Sequence, residues 1–210
     1  GSVTNNGYSS AWGFGARIGY MGQLTDYLAV GAAYQTKINM GEFDKYKGLF
    51  AEEGGFDIPS NFTLGVAVRP TPQWLLALDF ERIYYDDSRS VSNPQNNIYA
   101  CLPPQMGGQG DRASCLGGSN GAGFGWENID VWKFGVQYQL DDKWTLRGGY
   151  NRTDNPITPA NVTFNIIAPG VVQNQYTVGT TYAIDKRSEI TATFMYAAEN
   201  SVTGTSMFAG

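Results

Sequence analysis

Adjacent acids such as Glu52-Glu53 and Asp86-Asp87 are the residue type that general acid–base hydrolysis or calcium binding would use. They fall on or beside segments read as loops, and no nucleophile–base pair accompanies them. The 210 residues contain no histidine. That removes the commonest general base and metal ligand, and with it any histidine-dependent triad or ordinary zinc site. No enzymatic activity, metal or cofactor is expected. Cys101 and Cys115 bracket the Gly/Pro/Ser-rich stretch "CLPPQMGGQGDRASC". Two readings are open for them: a disulfide pinning a floppy loop in an oxidising compartment, or a pair of reduced loop thiols.

The remaining candidates bind rather than react. In "GEFDKYKGLFAEEGGFDIP", Phe43, Tyr46, Leu49 and Phe50 recur at helical spacing among Asp44, Lys45, Lys47, Glu52 and Glu53, which predicts an amphipathic helix. Its apolar side, with Phe56, either receives a greasy ligand or packs the segment onto its own scaffold. Six charges sit singly on otherwise polar strand faces: Arg17, Arg69, Asp79, Glu81, Lys133 and Arg147. A carboxylate ligand would want one of these cations, since a buried anion without a partner is costly. Solvated internal ion pairs are the alternative.

The elements that must position these groups are strands. Glycine (27 residues) and tyrosine (13) are abundant, suiting many strands and turns, and no run approaches the roughly 18 apolar residues of a transmembrane helix. That leaves barrel strands open, since these need only about 9–11 alternating residues. A net charge of −5 without a basic cluster argues against nucleic acid as a partner.

Counting matches to a period of two gives eight strands, near 9–21, 27–38, 60–69, 74–86, 129–140, 144–151, 174–184 and 189–199. In "DVWKFGVQYQLDDKWTLRGGY", for example, Trp132, Phe134, Val136 and Tyr138 oppose Lys133, Gly135, Gln137 and Gln139. The alternation in the fourth strand becomes unclear at Arg82, as a bulge there would make it. Short turns fall at 23–26, 70–73, 141–143 and 185–188, and long loops at 40–58, 87–128 and 153–172. Short turns at one end and long loops at the other are the habit of outer-membrane barrels, and a compact soluble domain rarely carries a structureless loop of about forty residues. Aromatics recur at strand ends, as at Trp74, Trp132, Trp144, Tyr150, Tyr182 and Tyr196, where head groups favour amphipathic rings. The apolar faces are therefore read as meeting lipid and the Gly/Thr/Gln faces as lining a wet lumen. A soluble sandwich would bury the same stripes between two sheets.

The stretches "GEFDKYKGLFAEEGGFDIPSNFTLGVAVRPTPQWLLALDFERIYYDD" and "GAGFGWENIDVWKFGVQYQLDDKWTLRGGYNRTDNPI", continued by "FNIIAPGVVQNQYTVGTTYAI", resemble the outer-membrane family of long-chain fatty-acid and aromatic-hydrocarbon transporters. The cysteine loop and the last few residues resemble it least. The resemblance implies an all-β, antiparallel transmembrane barrel, monomeric and fourteen-stranded, with an N-terminal hatch and lateral release of substrate. By parity of turns and loops, the eight strands would be the sixth to thirteenth, so that 1–210 is a partial barrel domain lacking the hatch, the early strands and the closing strand. A self-contained eight-stranded barrel is the competing reading. The family resemblance makes 40–58 one of two surface loops forming a capture groove, here of Phe43, Tyr46, Leu49, Phe50 and Phe56. On the polar faces read as the lumen, Arg17, Arg69, Lys133 and Arg147 are the ligand candidates, and the long connection at 87–128 is read as a second surface loop. Fatty-acid members are expected to hold the carboxylate with a basic residue near the start of the strand at 129–140; "GAGFGWENID" has none before Lys133, which favours a neutral or aromatic ligand. The expected partners are a hydrophobic small molecule, membrane lipid and lipopolysaccharide. A barrel-anchored adhesin and a general porin are the alternative functions.

Overall fold

The computed structural model describes residues 3–206. Eight strands form one antiparallel sheet: β2 (Arg17–Thr25), β3 (Leu28–Gln35), β5 (Ser60–Thr71), β6 (Trp74–Tyr84), β7 (Ile129–Gln139), β8 (Trp144–Thr153), β9 (Asn174–Ala183) and β10 (Glu189–Ala197). Each pairs only with its neighbours in sequence, in the order β10-β9-β8-β7-β6-β5-β3-β2. A two-residue ribbon, β1 (Gly13–Phe14) with β4 (Asn39–Met40), extends the β2–β3 hairpin above an irregular step. No helix among the described residues is long and apolar enough to cross a membrane.

Turn chemistry sets the hairpins. The Asp141 carboxylate accepts the amides of Lys143 (2.8 Å) and Trp144 (2.7 Å), and Asp185 accepts that of Arg187 (2.7 Å), the side-chain mimicry that makes Asp a turn residue. Two details differ from the sequence reading. The first strand runs on to Thr25, so the turn tightens to Asp26-Tyr27, and its upper part breaks at Gly15-Ala16, where a Cβ on Gly15 would stand 2.7 Å from Ile38. β6 has no bulge at Arg82: the ladder runs unbroken through Phe62↔Arg82 and Arg82↔Asp130. Arg82 keeps its place on the apolar face because its guanidinium meets Asp130 at 2.9 Å and lies over the Tyr84 ring. The shift in register comes at Val68/Thr71 instead.

The register decides which face is outside. Leu78, Phe134, Tyr150, Tyr176 and Tyr196 form one row across five strands, and Asp79, Lys133, Asn151 and Gln175 form the adjoining row on the other face. The aromatic row is open, with Phe134 47% and Tyr196 56% exposed, and no second sheet among the described residues covers it. Ring pairs bridge strands toward both ends: Trp74–Tyr138 and Trp144–Tyr182 by the turns, Phe80–Trp132 and Tyr150–Tyr176 nearer the loops. This is an apolar band with aromatic girdles, the outward surface of a membrane barrel. The buried apolar residues, Ala51, Val91, Ala122, Ile129, Val131 and Ile157, lie in the long loops or at the strand ends beneath them. The only dry core among the described residues is thus in the cap, and the sandwich is excluded. The final residues 207–210, in the part of the chain that resembles the family least, lie outside the described residues.

Candidate functional site

The three long connections, at 36–59, 85–128 and 154–173, fold together over one end of the sheet. Gln95, only 1% exposed, is the pin. Its Nε2 donates to Ala160 O (2.6 Å), its Oε1 accepts from Phe164 N (3.2 Å), and its own amide donates to Asn161 Oδ1 (2.9 Å). Nearby, Trp126 Nε1 donates to Asn165 Oδ1 (2.6 Å), and Asn165 Nδ2 donates to Phe124 O (2.7 Å). Loop backbone groups cannot use a ladder, so buried side-chain amides satisfy them instead.

The first loop joins by a different route. The amides of Glu52 and Glu53 donate to Gly118 O and Gly117 O, each at 2.9 Å, and the Ser90 hydroxyl donates to Gly55 O. Glu52 and Glu53 are left-handed, at φ 59° and 62°. The amphipathic helix expected here does not form: a 3₁₀ turn, Asp44–Tyr46, is followed by this left-handed turn at Ala51–Gly54. Pairing with 117–118 outweighs helix periodicity. Gly54 is needed at φ 103°, since a Cβ would sit 2.8 Å from Phe43 O.

Between the loops lies a cavity of about 280 Å³. Leu49 and Phe50 line it from the first loop, Leu116, Ala122 and Phe124 from the second, Phe164 and Ile167 from the third. Its one polar side chain is Ser90, whose hydroxyl is already engaged. No Lys or Arg lines it; the nearby Arg89 guanidinium faces Glu52 (3.5 Å) and Ser119 O (3.0 Å). Of the five expected groove residues, Leu49 and Phe50 face the cavity. Phe43 and Phe56 are not among its lining residues, and their ring centroids stand 6.3 and 5.1 Å from that of Phe50. Tyr46 points elsewhere, its hydroxyl donating to Gly7 O at 2.7 Å. Leu116, Phe124, Phe164 and Ile167 went unnoticed in the sequence. The available signal was apolar residues inside loops that otherwise read as polar.

Two ionisable groups of the cap are shifted. Burial, and secondarily the Glu81 carboxylate, raise the Tyr85 phenol above its ordinary value; its ring meets Trp126 edge-on at 5.0 Å. Hydrogen bonds from the Ser114 hydroxyl and the Ala113 amide lower the exposed Asp111 carboxyl. Beside Asp111, Cys101 and Cys115 are joined in a disulfide, which decides between the two readings of that pair.

The four lumen cations do not converge. Lys133 pairs with Glu81 at 2.8 Å. Arg147 donates to Gln137 (2.9 Å) and Thr181 (2.5 Å). Lys133 and Gln137, the register partner of Arg147, are four residues apart on β7, about 13 Å. Arg17 stands at the loop end of β2 and Arg69 at the turn end of β5. They read as wall ion pairs and isolated charges, not one anion pocket.

An antiparallel sheet with an apolar outer band and a polar inner face, capped by loops around an apolar cavity, defines a membrane β-barrel protein. The chain belongs to the family described as outer membrane protein transport protein (OMPP1/FadL/TodX), which matches residues 2–207. Solved structures of the same fold include the toluene transporter TbuX of Ralstonia pickettii (18% identity, 91% of this chain and 44% of that one, TM-score 0.54). A FadL homologue of Pseudomonas aeruginosa (16%, 87% and 43%, 0.55) and the monoaromatic hydrocarbon channel CymD (18%, 90% and 47%, 0.54) are similar. The chain spans less than half the length of these proteins. Among curated proteins, none matches it in sequence.

Proposed function

We propose that residues 1–210 are part of a monomeric fourteen-stranded barrel that passively takes up hydrophobic small molecules across the outer membrane. Ligand is captured between the loops at 40–58 and 87–128, passes the lumen, and leaves sideways into the membrane. The observation that carries this reading is the apolar cavity under the three loops. A cavity of about 150 Å³ can hold benzene, so about 280 Å³ accommodates a substituted ring or a short run of an alkyl chain. Each methylene taken from water contributes about 0.8 kcal/mol, which suffices for capture without chemistry. The absence of a lining cation favours a neutral hydrocarbon over a carboxylate, and TbuX and CymD, named for toluene and monoaromatic hydrocarbons, agree with that preference.

The test is uptake of labelled toluene and of a labelled long-chain fatty acid by cells carrying the full-length gene, its deletion, or Phe124→Ala and Phe164→Ala. Each ring contributes roughly 1.5–3 kcal/mol of apolar contact, so toluene uptake at low concentration should fall about ten-fold or more. Equal uptake of both compounds with and without the gene rejects the proposal.

A further inference from the structure

The bridge between Cys101 and Cys115 closes a segment 14 residues apart in sequence, and it lies where two cavity walls meet. Cys115 precedes Leu116, a lining residue, and then Gly117 and Gly118. The carbonyls of those two glycines accept the Glu53 and Glu52 amides, so the left-handed turn that follows Phe50 hangs on this short strip. The residues that follow the strip are held within the second loop, Arg89 donating to Ser119 O (3.0 Å), Asn97 to Asn120 O (3.1 Å) and Asn93 to Gly121 O (2.7 Å). Gly118 N returns to Cys115 O (2.8 Å) and Asn120 N to Ala113 O (2.8 Å), both contacts inside the same loop. On the other side, Cys101 ends the helix Asn97–Cys101, which begins two residues after Gln95, the pin to the third loop. One covalent bond therefore joins the part of the second loop that faces the first loop to the part that faces the third.

The turn it supports is strained at Glu52 and Glu53. Two consecutive non-glycine residues at positive φ cost energy that surrounding contacts must offset; the bonds to Gly117 and Gly118 are among those contacts, beside Phe43 N to Gly54 O (2.9 Å) and the Ser90 hydroxyl on Gly55 O, with the partly exposed Arg89–Glu52 pair adding little. We propose that the Cys101–Cys115 disulfide is a positioning element for ligand capture: it fixes the Leu116–Gly118 strip, the strip holds the Ala51–Gly54 turn left-handed, and the turn sets Phe50 against the cavity. This rests on the capture reading above. A dithiol reductant cleaves the bridge by thiol–disulfide exchange, ending as its own cyclic disulfide and leaving two protein thiols; the wall then relaxes.

The experiment uses the full-length protein, as wild type, as wild type reduced with dithiothreitol and reoxidised, and as Cys101→Ser/Cys115→Ser. Amide exchange of the peptide spanning 49–54 is measured in detergent, and the concentration dependence of toluene uptake in cells. Breaking the bridge should speed exchange at Glu52 and Glu53 about ten-fold or more, leave β5–β8 protected, and be reversed by reoxidation. The half-saturating toluene concentration should rise by a similar factor at unchanged maximal rate. Unchanged exchange at 49–54 in both the reduced protein and the double variant overturns the latch, whatever uptake does. Faster exchange with unchanged half-saturation shows a working latch on a cavity that does not capture, which overturns both the positioning role and the capture reading.

Discussion

Gln95 has no charge, no motif and no periodic place, yet it satisfies three backbone or side-chain groups of another loop with its own amide and side chain. Removing it in Gln95→Ala leaves Ala160 O and Phe164 N without these partners inside the cap. Each unsatisfied buried group costs about 1–3 kcal/mol, so the loops of Gln95→Ala should open more readily by about 2–6 kcal/mol in total. Limited proteolysis of the folded barrel should show cleavage within 154–173 tens-fold faster or more, and equal cleavage would rule out the pin. Nothing in the sequence marks Gln95, because its partners lie 65 to 69 residues away and are mostly backbone. The aromatic residues were easier. Phe50 stood out as an apolar residue in a charged loop, open to either ligand contact or packing, whereas Phe124 and Phe164 needed the fold to bring them beside it.

Strands and turns followed from the sequence with few exceptions because a half-exposed strand repeats one simple constraint, alternate faces, many times over. The loop at 40–58 did not, because helical spacing there competes with a partner the sequence does not reveal, the carbonyls of Gly117 and Gly118. The competition has a measurable sign. In a right-handed helix, Glu53→Gly would destabilise by about 1 kcal/mol relative to a good helix former. At φ 62° the same change removes a left-handed penalty of about 1–2 kcal/mol, against roughly 0.5–1 kcal/mol for the extra freedom of glycine when the turn opens. Glu53→Gly should therefore leave the turn unchanged or up to about 1.5 kcal/mol more protected, and Glu53→Val should weaken it by more than about 1 kcal/mol. Amide exchange across 49–54 reads both. A clear loss of protection in Glu53→Gly would mean the turn is right-handed after all.

The assembled sheet turns ordinary solubility rules inside out, and the lumen and lipid faces can be told apart at adjacent residues. Phe134 lies mid-strand in the outward row with Leu78 and Tyr150, while Gln137, three residues on, opposes Arg147 on the inner face. A cation on the lipid face near mid-bilayer costs roughly 2–4 kcal/mol, whereas a lumen substitution stays hydrated. In the full-length protein, Phe134→Arg should lower folding into bilayers by about that amount, seen as reduced heat-resistant barrel on electrophoresis and a lower denaturant midpoint. Gln137→Arg adds a charge beside Arg147, one of whose two side-chain bonds is to Gln137, so it should shift the midpoint by less than about 1 kcal/mol. The contrast separates orientation from general intolerance, since both variants introduce the same side chain on the same strand. If Gln137→Arg proved the more damaging, the row of Leu78, Phe134 and Tyr150 would have to face inward and the Gly/Thr/Gln row would have to meet lipid.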